Sequence, residues 1–187
     1  MKRVIGATAG IEYFQRERNM PVEAVLSDGN GLFTDKVSPN EFAARIIDIV
    51  RNEGDAGLVR ISAALDGNST ETFEVPQSEI DSALKNMDPA SVSALELAAD
   101  RVRKFQSRGL PKSWSDGSGK FGERVTPLGS VAAYVPGGTA PLASTVIMTV
   151  VPATVAGVEE IIIATPASGD SMPHPAVLAA AKIAGAS

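Results

Sequence analysis

A tyrosine leading into paired glycines, Tyr134-Val-Pro-Gly137-Gly138, and a lone histidine, His174, are the residues here whose type and spacing could do chemistry. Paired glycines after a strand let a backbone approach a ligand closely. The free N–H groups of a following helix start can then face an anion. The ring of Tyr134 could stack on a cofactor or hydrogen-bond to it. Gly137-Gly138 lacks the G-x-G-x-x-G spacing of the usual dinucleotide turn, and an isolated glycine pair more often serves the turn alone. His174 lies between Pro173 and Pro175, at an expected helix start. Zinc wants three or four ligands, and the chain offers neither a second histidine nor a cysteine. An exposed residue is therefore expected at 174, and no Ser-His-Asp arrangement can be built around it. Glu159-Glu160 is a carboxylate pair, but neighbours at a strand start point apart, so a solvated edge is expected there.

Position is supplied by the elements around these residues. Ser130 to Pro136 reads as a strand and Pro141 to Gly157 as an uncharged helix. Glu160-Ile-Ile-Ile-Ala-Thr165 reads as a second strand and Pro175 to Ala184 as a second helix. A helical connection implies parallel strands joined by a right-handed crossover. Pro152 is expected to kink or break the long helix. The expected fold class is α/β: a helix-rich N-terminal part over residues 1–128, then an incomplete Rossmann-like βαβα unit over residues 129–187. Two strands are few for a parallel sheet, which is normally buried on both faces, so an edge and an apolar patch should remain. The expected partner is therefore another copy, in a homodimer or a strand-exchanged assembly.

The front part is punctuated by helix signals. Ser38-Pro-Asn-Glu41 reads as a capping box, Gly54 ends that helix, and Asp55 is placed to cap the next, 56–65. Thr72 to Val75 reads as a short strand and Ser78 to Met87 as a helix. Asp88-Pro89 opens another helix, with Val92, Leu95, Ala99 and Val102 as its stripe. Arg101, Arg103, Lys104 and Arg108 crowd its end, where cations favour the helix dipole. Trp114 falls in a loop, and 119–127 reads as a strand.

Composition narrows the function classes. Net charge is −5, which argues against a nucleic-acid or acidic-membrane partner. Sixteen of 17 Lys+Arg and 19 of 22 Asp+Glu lie before Gly129, so the front is solvated and the back largely interior. The absence of cysteine excludes a disulfide framework and fits the cytoplasm. Lys2-Arg3 and the apolar run 4–11 are at the lower limit for a signal peptide, and a plain cytosolic N-terminus is expected. Val125 to Val158 carries no charge, but its prolines and glycines suit a buried strand and helix better than a membrane span.

Tyr134-Val-Pro-Gly-Gly, Ala140-Pro, Ser144-Thr-Val-Ile-Met148, Pro152-Ala-Thr-Val-Ala-Gly-Val158, Thr165-Pro and Val177-Leu-Ala-Ala-Ala-Lys-Ile-Ala-Gly185 together resemble histidinol dehydrogenase. Val50-Arg-Asn-Glu-Gly-Asp55, Arg101-Val-Arg-Lys-Phe105 and Val125-Thr-Pro-Leu-Gly-Ser-Val131 agree with it. The resemblance implies oxidation of L-histidinol through an aldehyde to L-histidine, with two hydride transfers to NAD. It implies a zinc that holds substrate through a Gln, two His and an Asp, and a Glu-His acid–base pair. Of these positions only Tyr134, matching an NAD-contacting tyrosine, falls in this chain, so the chain alone is expected to be inactive. The resemblance thus gives an NAD contact at Tyr134, and the Gly137-Gly138 turn leaves room beside it, so Tyr134, Gly137 and Gly138 are the expected cofactor-binding residues of a partial and weak site, with no catalytic residue and no zinc ligand. Ala132 stands where a glycine is usual, and Gln106 where a histidine is common. Paralogous sulfopropanediol dehydrogenases share the glycine segment. A non-catalytic nucleotide-binding or assembly module, from a split or decayed member, is the alternative, with a separate second-half chain as a further partner.

Overall fold

In this computed structural model the described residues are 33, 38–67, 72–137, 140–167 and 172–187. The run 4–11 and Gly138 lie outside them. The chain forms two compact units, Met1–Phe73 and Glu74–Ser187.

In the first unit two helices pack on each other, α1 (Pro39–Glu53) and α2 (Asp55–Asp66). Ser38 caps α1, its side chain accepting from the Glu41 N–H at 3.3 Å, with Pro39 in the first turn. The capping box closes on one side only. The Glu41 carboxylate pairs with Arg45 at 2.7 Å, one turn on. Gly54 separates the helices at φ 61° and ψ −138°, a backbone open to glycine and little else. It is also the N-cap of α2, so Asp55 is the first helical residue and makes no cap hydrogen bond. Arg60 on α2 reaches back to Glu53 on α1 at 2.6 Å.

The second unit opens on α3 (Gln77–Lys85) and α4 (Pro89–Gly109). Asp88 caps α4 by accepting from the Ser91 N–H at 2.9 Å. Residues 72–75 form no strand, which corrects the expectation there. Among the described residues no strand pairs with them, and Pro76 already opens α3. A small antiparallel pair follows, β1 (Trp114–Ser115) and β2 (Gly122–Glu123). Trp114 is thus in a strand rather than a loop, and the strand foreseen over 119–127 is reduced to two residues.

The rest is β3 (Ser130–Tyr134), α5 (Ala143–Val155), β4 (Glu160–Ala164) and α6 (Pro175–Ala184). β3 and β4 are parallel and in register from Ser130 opposite Glu160 to Tyr134 opposite Ala164. The Val135 N–H extends the ladder to the Ala164 carbonyl at 2.8 Å. Along the other side of β4, Ser187 donates to the Ile161 carbonyl at 2.9 Å and its hydroxyl accepts from the Ile161 N–H at 3.0 Å. The architecture is α/β and helix-rich.

Of the two outcomes expected at Pro152, the break does not occur: α5 runs unbroken through it from Ala143 to Val155. The proline removes a donor to the Met148 carbonyl, on a residue that is itself exposed. The helix is bound on both sides of that point. The Thr154 hydroxyl is 3.1 Å from the Val150 carbonyl and 3.2 Å from the Ala184 carbonyl at the end of α6.

α5 lies on the sheet, and α4 and α6 pack on α5. Val135, Val146, Val150 and Val151 are the largest side chains sealed in this core, joined by Ile147, Ile161, Ala99, Ala180 and Ala184. Burying each valine contributes about 1.5–3 kcal/mol. The alanines of α4 and α6 let the helices approach closely. The packing therefore groups α3 and α4, which the sequence reading placed with the front, with the βαβα segment.

α3 is held to α6 by Lys182, 3.1 Å from Asp81. The Gln77 side-chain amide, then Lys182, hold the Asp81 carboxyl below the usual Asp range. Its folded value is lowered, so its contribution is present above the unfolded value of about 4. It is lost as pH falls through the folded value. Asp81→Asn should therefore lower the melting temperature at pH 7 but have less effect at pH 3. Equal shifts at both pH values would remove this pair from the acid response.

Candidate functional site

The candidate site is the turn after β3. Side chains alternate along the two strands. Val131, Val135, Ile161 and Ile163 face the helices and join the core. Ala132, Tyr134, Ile162 and Ala164 are exposed on the opposite face. Tyr134 is 67% exposed, at the C-terminal end of β3. It is not packed beneath α5, because the alternation puts Val135 there instead. Parallel sheets bind ligands beyond the C-terminal ends of their strands, which is where Tyr134 stands.

α5 begins with no side-chain cap. Its N-cap is Leu142, whose side chain has no oxygen to accept from the Ala143 and Ser144 N–H groups, while its carbonyl accepts from the Thr145 N–H at 2.9 Å. The helix start thus keeps donors for an anionic group. His174 does the opposite at α6. It is the N-cap, and its Nδ1 accepts from the Ala176 N–H at 3.1 Å. The exposed histidine expected from sequence is there, engaged in holding a helix end.

Gly137 has a packing reason for being glycine that spacing alone did not reveal. A Cβ at 137 would lie 2.5 Å from Cγ of Pro166. Pro166 is in the turn after β4, so the two turns beyond the strand ends touch. Glu159 and Glu160 are exposed at the start of β4, at the far end from Tyr134. Among the described residues no group of three or more His, Cys, Asp or Glu side chains is gathered to hold a metal ion. No described helix is long and apolar enough to cross a membrane. An open cleft of about 420 Å³ lies between α3 and the start of α6, lined by Glu79, Asn86, Met172 and His174 among others.

The fold and this turn define an α/β chain built around a strand–glycine turn–helix–strand unit. A family model described as histidinol dehydrogenase matches residues 34–187. The chain is 39% identical over 192 aligned residues to the histidinol dehydrogenase of Deinococcus radiodurans, covering 100% of this chain and 43% of that one. It is 46% identical over 145 residues to that of Agrobacterium fabrum, covering 75% and 33%. A crystal structure of histidinol dehydrogenase from Elizabethkingia anophelis shares the fold, with a TM-score of 0.73 and 24% identity. That match covers 82% of this chain and 36% of the other. The chain belongs to the histidinol dehydrogenase family, and it spans less than half the length of these relatives.

The contact at Gly137 is testable. Gly137→Ala should cost about 1–3 kcal/mol, because a proline ring beside a turn has little room to move. Pro166→Ala should recover most of that loss in the double variant. Denaturant midpoints of the four proteins give the coupling, and additive losses would show that the two turns do not constrain each other.

Proposed function

We propose that this chain is the nucleotide-binding front portion of a histidinol dehydrogenase-type oxidoreductase. NAD would meet it at Tyr134. One observation carries this reading: an exposed tyrosine stands at the C-terminal end of a parallel strand, and the helix that follows it starts with no side-chain cap. The ring offers a face for an aromatic base or nicotinamide and a hydroxyl for a hydrogen bond. The first turn of α5 offers donors to a pyrophosphate. Gly137 acts indirectly, keeping the turn against Pro166.

NAD supplies hydride acceptance when bound, and this chain's own residues bind and orient it. No proton transfer is assigned to them. His174 is the chain's single histidine, and its Nδ1 already serves the α6 cap. The zinc of the family does not fit these residues, since the chain holds one histidine and no cysteine. The 187 residues by themselves should therefore neither oxidise histidinol nor retain zinc after dialysis, and the setting we propose is cytoplasmic. Steady NADH production by the pure chain would overturn this.

Binding is the sharper test. NAD should bind weakly, and Tyr134→Ala should weaken it about tenfold. That corresponds to the ~1.4 kcal/mol of one good aromatic contact. Tyr134→Phe should retain part of it. Titration followed by calorimetry, with circular dichroism confirming the fold, decides the matter. Equal affinities in folded wild type and Tyr134→Ala would take Tyr134 out of the site.

We also propose that the parallel sheet draws in another copy through its edges. Beyond the β3–β4 ladder, Ser187 bonds Ile161 along the outer side of β4, and among the described residues no further strand pairs with either edge. Ala132, Tyr134 and Ile162 leave an apolar face open. Light scattering over a concentration series should show self-association that survives high salt. A monomer at all concentrations would contradict it.

A further inference from the structure

The cleft between α3 and the start of α6 lies apart from the proposed NAD contacts. Neither Tyr134, nor Gly137, nor the first turn of α5 lines it. It falls wholly within the second unit, and its volume of about 420 Å³ is in the range of small-molecule sites. α3 presents Glu79, Ser82, Ala83 and Asn86 to it, a spacing of three and four that makes one flank of a helix. Met87, Met172 and Leu178 supply apolar wall. Methionine side chains adjust readily to the shape of what they touch.

The electrostatics of the cleft are one-sided. Among the described residues that line it, Glu79 alone carries a formal charge, and it is exposed with no ion pair among the described residues. The other charges of α3 are turned elsewhere. Asp81 pairs with Lys182 at 3.1 Å, and neither they nor Lys85 line the cleft. The positive end of α6 is already engaged, because Nδ1 of His174 accepts from the Ala176 N–H at 3.1 Å. A ring nitrogen that accepts carries no proton, so the His174 ring is neutral there, with its proton on Nε2. α3 brings the negative end of its dipole to the same place, since Asn86 is its C-cap. The Asn86 amide donates to the Ser82 hydroxyl at 3.0 Å, which leaves Oδ1 as a second acceptor beside Glu79.

We propose that this cleft binds a small organic cation, an ammonium group carried on a short apolar body. The ammonium meets the Glu79 carboxylate and Oδ1 of Asn86, and the body lies against Met87, Met172 and Leu178. Charge complementarity selects the class. An anion is repelled by Glu79 and by the end of α3, and a neutral molecule of the same shape keeps the apolar contact but loses the ion pair. An inorganic cation makes no use of the apolar walls, and among the described residues no group of three or more metal-ligating side chains is gathered for one. The site does not depend on the NAD reading, since the two share no residue.

His174 lines the cleft and is the chain's single histidine, so its ring C–H signals in a proton NMR spectrum report this place directly. Phenethylammonium added to the full 187-residue chain should shift them saturably, with a Kd of about 10 mM or tighter, the range for a ligand of that size. Neutral 2-phenylethanol should bind more weakly and anionic 3-phenylpropionate more weakly still. Glu79→Gln should weaken phenethylammonium about three- to fivefold, the worth of one exposed ion pair, and bring it level with 2-phenylethanol. Glu79 is exposed and unpaired, so the circular dichroism of this variant should match wild type. Glu96→Gln removes an exposed carboxylate of α4 that does not line the cleft, and it should leave the affinity unchanged. The proposal is overturned by the lack of a saturable shift in that range, or by equal affinity for all three probes. It is overturned equally if Glu79→Gln binds phenethylammonium as wild type does, or if Glu96→Gln weakens it as much as Glu79→Gln.

Discussion

Two parallel strands cannot be joined by a tight turn, and that constraint organises the second unit of this protein. Ser130–Tyr134 and Glu160–Ala164 run in the same direction, so the chain between them must return along the sheet, which it does as α5. α5 carries no charge and buries Val146, Ile147, Val150 and Val151 on more than one side. It therefore needs cover from both the sheet and other helices. α4 supplies Ala99, and α6 supplies Ala180 and Ala184, residues small enough to bring three helices together. The Thr154 hydroxyl then ties the end of α6 to α5. The start of α5 is the exception. It is left with a leucine N-cap and no side-chain cap, and the strand that leads to it ends on the exposed Tyr134.

Most of this was legible because the signals are local. Ser38, Asp88 and the prolines that follow them mark helix starts through their own side chains and backbones. The run Glu160-Ile-Ile-Ile-Ala is short, β-branched and bounded, which suits a buried strand. Pro175 to Ala184 matched the observed helix at both ends, since a proline opens it and a glycine closes it. The failures have one physical character. Thr72–Val75 has strand-like residues but no strand among the described residues to pair with, and a strand exists only with a neighbour. Pro152 is a local breaker outweighed by packing on either side of it.

The candidate site was legible in part, for the same reason. Tyr134 could be placed near the end of a strand from the run Ser130 to Pro136, but its exposure needed the structure, in which Val135 takes the buried position. Gly137 could not be understood from its own segment. The atom that forbids a side chain there belongs to Pro166, 29 positions away, and only the parallel register brings the two turns together. His174 was recognisable as a residue with no companions for metal or proton chemistry. That it caps α6 needed the geometry of its Nδ1.

The open face of the sheet follows from the same constraint. Ala132, Tyr134 and Ile162 are exposed there, while Val131, Val135 and Ile161 meet the helices on the other face. Parallel strands are normally covered on both sides, so an apolar layer of suitable shape satisfies the open one. Such a layer is chosen by shape and area alone and therefore weakly. The hydroxyl of Tyr134 adds a polar group at the strand end, and a layer or ligand that meets it is chosen by direction as well as by area.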